Sequence, residues 1–90
     1  MELTTDYEQA LAVIERILRI SESDADGWNK KAYPFNELGR YEETLAASER
    51  ALALDSSIAD AWNNAAWALH RLGRYQEALT AIERGVSHHA

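Results

Sequence analysis

Apolar residues recur along this chain at helical spacing, in blocks separated by short polar turns. Between residues 62 and 72, Trp62, Ala65, Ala66, Leu69 and Leu72 fall on one stripe of a 3.6-residue helix. Near the N-terminus Tyr7, Ala10, Leu11, Ile14, Ile17 and Leu18 form a second such stripe. Ala and Leu dominate and Pro occurs once, which favours helix over strand throughout.

The pattern repeats with a fixed period. Shifted by 34 residues, positions 25–56 lie on positions 59–90 with fourteen identities in thirty-two pairs. Ala25, Asp26, Trp28 and Asn29 return as Ala59, Asp60, Trp62 and Asn63, and Leu38-Gly39-Arg40-Tyr41 returns as Leu72-Gly73-Arg74-Tyr75. The N-terminal segment is a partial third copy: Tyr7, Glu8, Leu11, Ala12, Glu15, Arg16 and Leu18 match Tyr41, Glu42, Leu45, Ala46, Glu49, Arg50 and Leu52.

Each unit reads as two helices. Ser23 and Ser57 are placed as N-caps of a first helix, A, with Asp26 and Asp60 three residues on. Helix A runs to Leu38 or Leu72, and Gly39 or Gly73 follows where a left-handed residue ends a helix. Helix B begins near Tyr41 or Tyr75 and runs about thirteen residues, and Thr5 with Glu8 is placed to cap the N-terminal B helix. The expected fold is all-α: five antiparallel helices in the order B, A-B, A-B. They form one domain over 1–90, with a partial repeat at 1–24, a full repeat at 25–58 and a second, slightly shortened one at 59–90. Trp28 and Trp62 are expected to be largely buried, and Ala32, Ala66 and Ala78 to let helices approach closely. Pro34 interrupts helix A of the middle unit, because it lacks an N–H and its ring meets the carbonyl of Lys30. That helix is expected to bend or break there, and Pro34→Ala to stabilise it unless the surroundings have adapted to a kink.

Composition narrows the function. The chain is 47% hydrophobic and 27% charged, as ordinary folded domains are, with a net charge of −6. An acidic surface repels phosphate backbones, so no nucleic-acid partner is expected. Residues 1–26 carry seven acids against two Arg, which either steers a basic partner or simply solvates that face. There is no Cys, which excludes disulfides, thiolate metal sites and a Cys nucleophile. The most apolar run, Leu11 to Ile20, is broken by Glu15, Arg16 and Arg19, so neither a membrane span nor a signal peptide is expected and a cytoplasmic location is the default.

The 34-residue period, the Trp opening helix A, the Gly-Arg-Tyr turn and the Tyr-x-x-Ala-Leu start of helix B resemble the tetratricopeptide repeat (TPR) family. The resemblance implies a right-handed solenoid whose A helices line a concave groove for peptides. The sequence departs from the family pattern where Leu-Gly becomes Lys31-Ala32 and Ala65-Ala66. It departs again where the Pro after helix B becomes Glu22, Ser56 and Ala90, and at Pro34 itself.

No constellation points to catalysis, a metal or a cofactor. His70 shares its helix face with no carboxylate or nucleophile in a recognisable arrangement, and the adjacent pair His88-His89 lacks the i, i+4 spacing of a helical metal site and reads as a fraying tail. The expected work is therefore that of a non-enzymatic scaffold or adaptor binding a peptide or protein segment. Its expected binding face comprises Asn29, Lys30, Tyr33, Asn63, Asn64, Trp67 and Arg71. Trp67 lies about 140° around the helix from Trp62, away from the core stripe. Aromatic rings among amides suit a peptide backbone, while the same Tyr33 and Trp67 also suit packing of helix A on helix A. In the family an Asn at the place of Asn64 holds a ligand's backbone. The family's clamp for an acidic C-terminus needs several Lys, Arg and Asn from three units, and only Lys30, Asn64 and Arg71 are candidates, so that clamp is not expected. The alternative function is self-assembly through uncovered ends: Tyr7, Leu11, Ile14 and Leu18 at one, Leu79, Ile82 and Val86 at the other.

Overall fold

The structure is a computed structural model that describes the backbone from residue 3 to residue 89 and side-chain burial from residue 6 to residue 87. The helices are α1 (Leu3–Ile20), α2 (Ala25–Lys30), α3 (Ala32–Glu37), α4 (Tyr41–Leu54), α5 (Ala59–Arg71) and α6 (Tyr75–His89). There is no strand among the described residues. α2 and α3 are the two halves of one A helix, so the observed order is the expected B, A-B, A-B. Each helix packs on its neighbours in sequence or one element beyond, α5 on α6 and α4, α4 on α2 and α3, α1 on α2 and α3, which is the contact pattern of a solenoid.

Gly39 and Gly73 end the two A helices with φ of 75° and 80°. At each end the Gly N–H donates to the carbonyl three residues back, Asn36 or His70. The next N–H donates to the carbonyl five back, Phe35 or Leu69, at 2.8 Å. This closes the last turn with a left-handed residue that any Cβ would strain. The recurrent Arg then opens helix B. Arg40 holds both carboxylate oxygens of Glu43 at 2.6 Å, and Arg74 Nη2 meets Glu77 at 2.5 Å. The guanidinium keeps the Glu43 carboxyl below its ordinary range.

The N-caps fall one residue later than expected. Asp24, not Ser23, caps α2, its carboxylate accepting the Gly27 N–H at 3.0 Å. Ile58, not Ser57, occupies the cap position of α5. Ser57 is held instead in the preceding turn, where its hydroxyl and its N–H both donate to Asp55, at 2.6 and 3.0 Å. Thr5 likewise is no cap, since α1 is already helical at Leu3. At the other end α6 continues to His89, through the His pair read as a fraying tail. The side chains of that pair lie outside the described residues.

The break in the middle A helix lies at Lys31. Its N–H donates to Trp28 O at 3.3 Å, the i−3 spacing of a tightened turn, and the α-helical ladder resumes with the Phe35 N–H on Lys31 O. Lys31 keeps helical angles (φ −67°, ψ −25°), so the axis kinks and does not unwind. Pro34 therefore becomes the third residue of a new helix, where an absent N–H is no loss.

Two apolar clusters carry the stability. One joins Leu45 of α4 to Ala65, Ala66, Ala68 and Leu69 of α5 and Ala78 and Ala81 of α6, with Tyr41, Trp62 and Leu72 packed against it. The other joins Leu11, Phe35 and Ala47, flanked by Leu38. Each large member contributes about 1.5–3 kcal/mol by leaving water. Ala32, Ala66 and Ala78 are buried as expected and admit the neighbouring helix closely. Trp28 and Trp62 are half-buried only. Their rings cover the core while the indole N–H donates to a turn carbonyl, Glu22 O or Ser56 O, each at 2.8 Å. The N-terminal stripe is also redistributed. Leu11 and Leu18 are buried and Tyr7 and Ile14 half-buried, while Ala10 and Ile17 face solvent and the outer stripe is Val13, Ile17 and Ile20. α1 packs on α2 and α3, and much of the side expected to lie open is thereby covered.

Candidate functional site

The A-helix face is built by α2, α3 and α5. The amide of Asn64 donates to the Asn29 side chain at 3.1 Å and ties α5 to α2. Trp67 projects from the next turn of α5, half exposed at 50%. It stacks on His70 (centroids 5.8 Å, planes 18° apart), and His70 in turn meets the edge of Tyr75 at 5.4 Å. Arg71 lies across the seam between units, its guanidinium 5.4 Å from the Tyr41 ring and 5.8 Å from Trp67. These contacts fix the exposed rings in place before any ligand arrives.

Tyr33 stands apart from this group. It is 62% exposed and meets the Tyr7 ring edge-on at 5.9 Å. The Tyr7 hydroxyl donates to Glu37 at 3.1 Å, and its hydrogen bonding with Tyr33 and Glu37 pushes the phenol up to about 12. Lys30 is held by Asp26, one helical turn earlier, at 3.1 Å, with both groups in solvent.

Of the seven expected residues, Asn63, Asn64 and Trp67 line one groove of about 480 Å³ together with Asn36 and His70. Asn29 joins through Asn64, Arg71 flanks Trp67, and Lys30 and Tyr33 are outside the groove's lining. The opposite wall comes from α6: Tyr75, Ala78, Leu79 and Ile82. Leu79 and Ile82 were legible as an uncovered end but not as part of this face. Seeing that needs the register by which α6 lies against α5. No group of three or more His, Asp or Glu among the described residues is placed to hold a metal. No helix among them is long and apolar enough to cross a membrane.

The family of anaphase-promoting complex, cyclosome, subunit 3 matches residues 4–85. The chain belongs to this TPR-type family. Solved structures agree on the fold of this TPR chain. MamA superposes with a TM-score of 0.89 at 15% identity, over 93% of the chain and 49% of MamA, so the chain spans about half of MamA's length. The second TPR domain of Spaghetti (RPAP3), bound to the HSP90 peptide SRMEEVD, superposes with a TM-score of 0.86 at 25% identity, over 89% of the chain and 74% of that domain. No curated protein matches the TPR chain in sequence.

Proposed function

We propose that this TPR chain is a non-catalytic interaction module that holds a peptide or protein segment on its A-helix face, anchored at Trp67. The observation that carries the reading is the half-exposed Trp67 beside Asn63 and Asn64, opening onto a 480 Å³ groove. The ring supplies apolar contact and the amides supply donors and acceptors for a peptide backbone. A peptide-bound TPR domain among the structural relatives supports the same use of the fold. A ligand selected from a peptide array is the test. Trp67→Ala is expected to weaken its binding by about 2 kcal/mol, since buried aromatics dominate interface energies. A ligand whose affinity survives both Trp67→Ala and Asn64→Ala binds elsewhere and defeats the assignment. The peptide SRMEEVD is the matched control. Lys30 is already paired with Asp26 and Arg71 is stacked on two rings, so no preference for this acidic C-terminus is expected.

Self-association is the second reading, favoured by apolar side chains exposed at both ends: Val13, Ile17 and Ile20 on α1, and Leu79, Ile82 and Val86 on α6. Sedimentation at rising concentration tests it. A constant monomer mass up to roughly millimolar, where even about −4 kcal/mol of association registers, excludes it.

A further inference from the structure

Lys31, at the kink of the middle A helix, reaches into the furrow between the B helices α1 and α4. Its side chain is only 14% exposed, and its ammonium lies 3.7 Å from Glu15 of α1. The same ammonium is 5.1 and 5.6 Å from the centres of the Trp28 and Phe35 rings. Lys31 thereby divides the furrow into two hollows of about 250 and 170 Å³. One is lined by Glu15, Leu18 and Trp28, the other by Trp28, Phe35, Glu43 and Ala47. Moved on by 34 residues, Lys31 becomes Ala65. There the two hollows are one cleft of about 320 Å³ between α4 and α6. Glu49 and Leu52 replace Glu15 and Leu18, Trp62 replaces Trp28, and Leu69, Glu77 and Ala81 replace Phe35, Glu43 and Ala47.

We infer that the cleft between α4 and α6 is a binding site for a lysine side chain of a partner protein, its ammonium on Glu49 and its methylenes lying lengthwise along Leu45, Leu52 and Trp62. The chain already uses this chemistry for Lys31, whose stem covers apolar surface while its charged head meets a carboxylate at the rim. Glu77 is held by Arg74, and Glu49 forms no ion pair among the described residues, so Glu49 is the carboxylate left to take the ammonium. Arg84 also lines the cleft without barring a second cation. Its counterpart one repeat earlier, Arg50, lies over the Trp28 ring at 5.5 Å alongside Lys31. The site does not depend on what adjoins the chain. The earlier furrow is lined by residues of α1 to α4 and the turn after α1, and by none of α5 or α6, although both follow it. A unit stacked beyond α6 would therefore leave the later cleft open in the same way. No residue of the cleft belongs to the A-helix face, so the inference goes beyond that reading and stands apart from it.

The probe is Nα-acetyl-lysine methylamide, titrated into the full chain at constant ionic strength and followed by amide chemical shifts. Nα-acetyl-norleucine methylamide supplies the stem without the ammonium. Saturable shifts are expected from the lysine probe at Glu49, Ala65 and Thr80, with norleucine binding more weakly. Glu49→Gln, an exposed position checked for an unchanged melting curve, is expected to weaken the lysine probe about fivefold, the upper range for a part-exposed ion pair, and to leave norleucine unaffected. Lys31→Ala empties the earlier furrow and is expected to add a second saturable site, with shifts at Glu15 and Ala46. Four results overturn the inference: no saturable shifts in the cleft, norleucine binding as tightly as lysine, indifference to Glu49→Gln, or no second site in a folded Lys31→Ala chain. Trp67→Ala is expected to leave the lysine probe's affinity unchanged, so the A-helix reading and this one fail separately.

Discussion

Replacing Pro34 by Ala tests how the kinked A helix is built. In an uninterrupted helix the change is worth about 3 kcal/mol of stabilisation. Here the helix restarts at Ala32, so Pro34 sits in the first turn, where backbone N–H groups have no intrahelical partner anyway. The Pro34 ring is buried, and Ala removes two methylenes from the interior, a loss of about 1.6 kcal/mol. It also loosens the unfolded chain, a further loss of about 0.4–1 kcal/mol. Against this, only if the helix straightened would the new N–H reach Lys30 O, an offset of at most about 1 kcal/mol net. The balance is a destabilisation of about 1 kcal/mol, a fall in Tm of about 4–8 °C for a domain of this size. Urea denaturation followed by circular dichroism, with the m-value held constant, measures it. Stabilisation by 2 kcal/mol or more would refute the reasoning, since it means that the straight helix was available and only the Pro withheld it. The sequence alone favoured stabilisation; the buried ring and the first-turn position reverse the sign.

Two further predictions concern polar groups. The Ser48 hydroxyl is fully buried with no hydrogen-bond partner among the described residues, so Ser48→Ala is expected to stabilise the fold by about 1–2 kcal/mol in the same denaturation assay. Asp55 is held below its ordinary pKa by the hydroxyl and N–H of Ser57. Its contribution is thus complete above the unfolded carboxylate value near 3.9 and is lost as pH falls through the lower folded value. Protection of the Ser57 amide, taken relative to its intrinsic exchange rate, is expected to fall across that acid range in the native chain and to show no such pH dependence in Asp55→Asn.

Most of the fold was legible because the chain repeats itself. Two copies of Leu-Gly-Arg-Tyr fixed both turns, and the structure finds the glycines left-handed and the B helices starting at Tyr41 and Tyr75. Caps were harder, because Ser23 competes with the neighbouring Asp24, and Ser57 with a turn that Asp55 closes around it. Exposure was harder still. A stripe marks which residues share a face of α1 but not how far the helix rolls, which its packing on α2 and α3 decides. The candidate site divided the same way. Asn63, Asn64 and Trp67 lie on one helix face by spacing alone. That Tyr33 would be held by Tyr7, twenty-six residues away, follows only from the packing of α1.

The indole bonds of Trp28 and Trp62 govern which changes the junctions between units tolerate. Each ring donates to a main-chain carbonyl six residues earlier, and that acceptor is present whatever side chain stands there: Glu in one copy, Ser in the other. The loops at 21–24 and 55–58 differ in sequence at three of four positions but have the same length. Apart from Asp24, which caps α2, and Asp55, which holds Ser57, substitution in these loops leaves the acceptor in place, whereas one inserted or deleted residue carries the carbonyl out of reach of the ring. Loop length, counted from the Trp, therefore constrains the junction more than the side chains of the acceptor residues do.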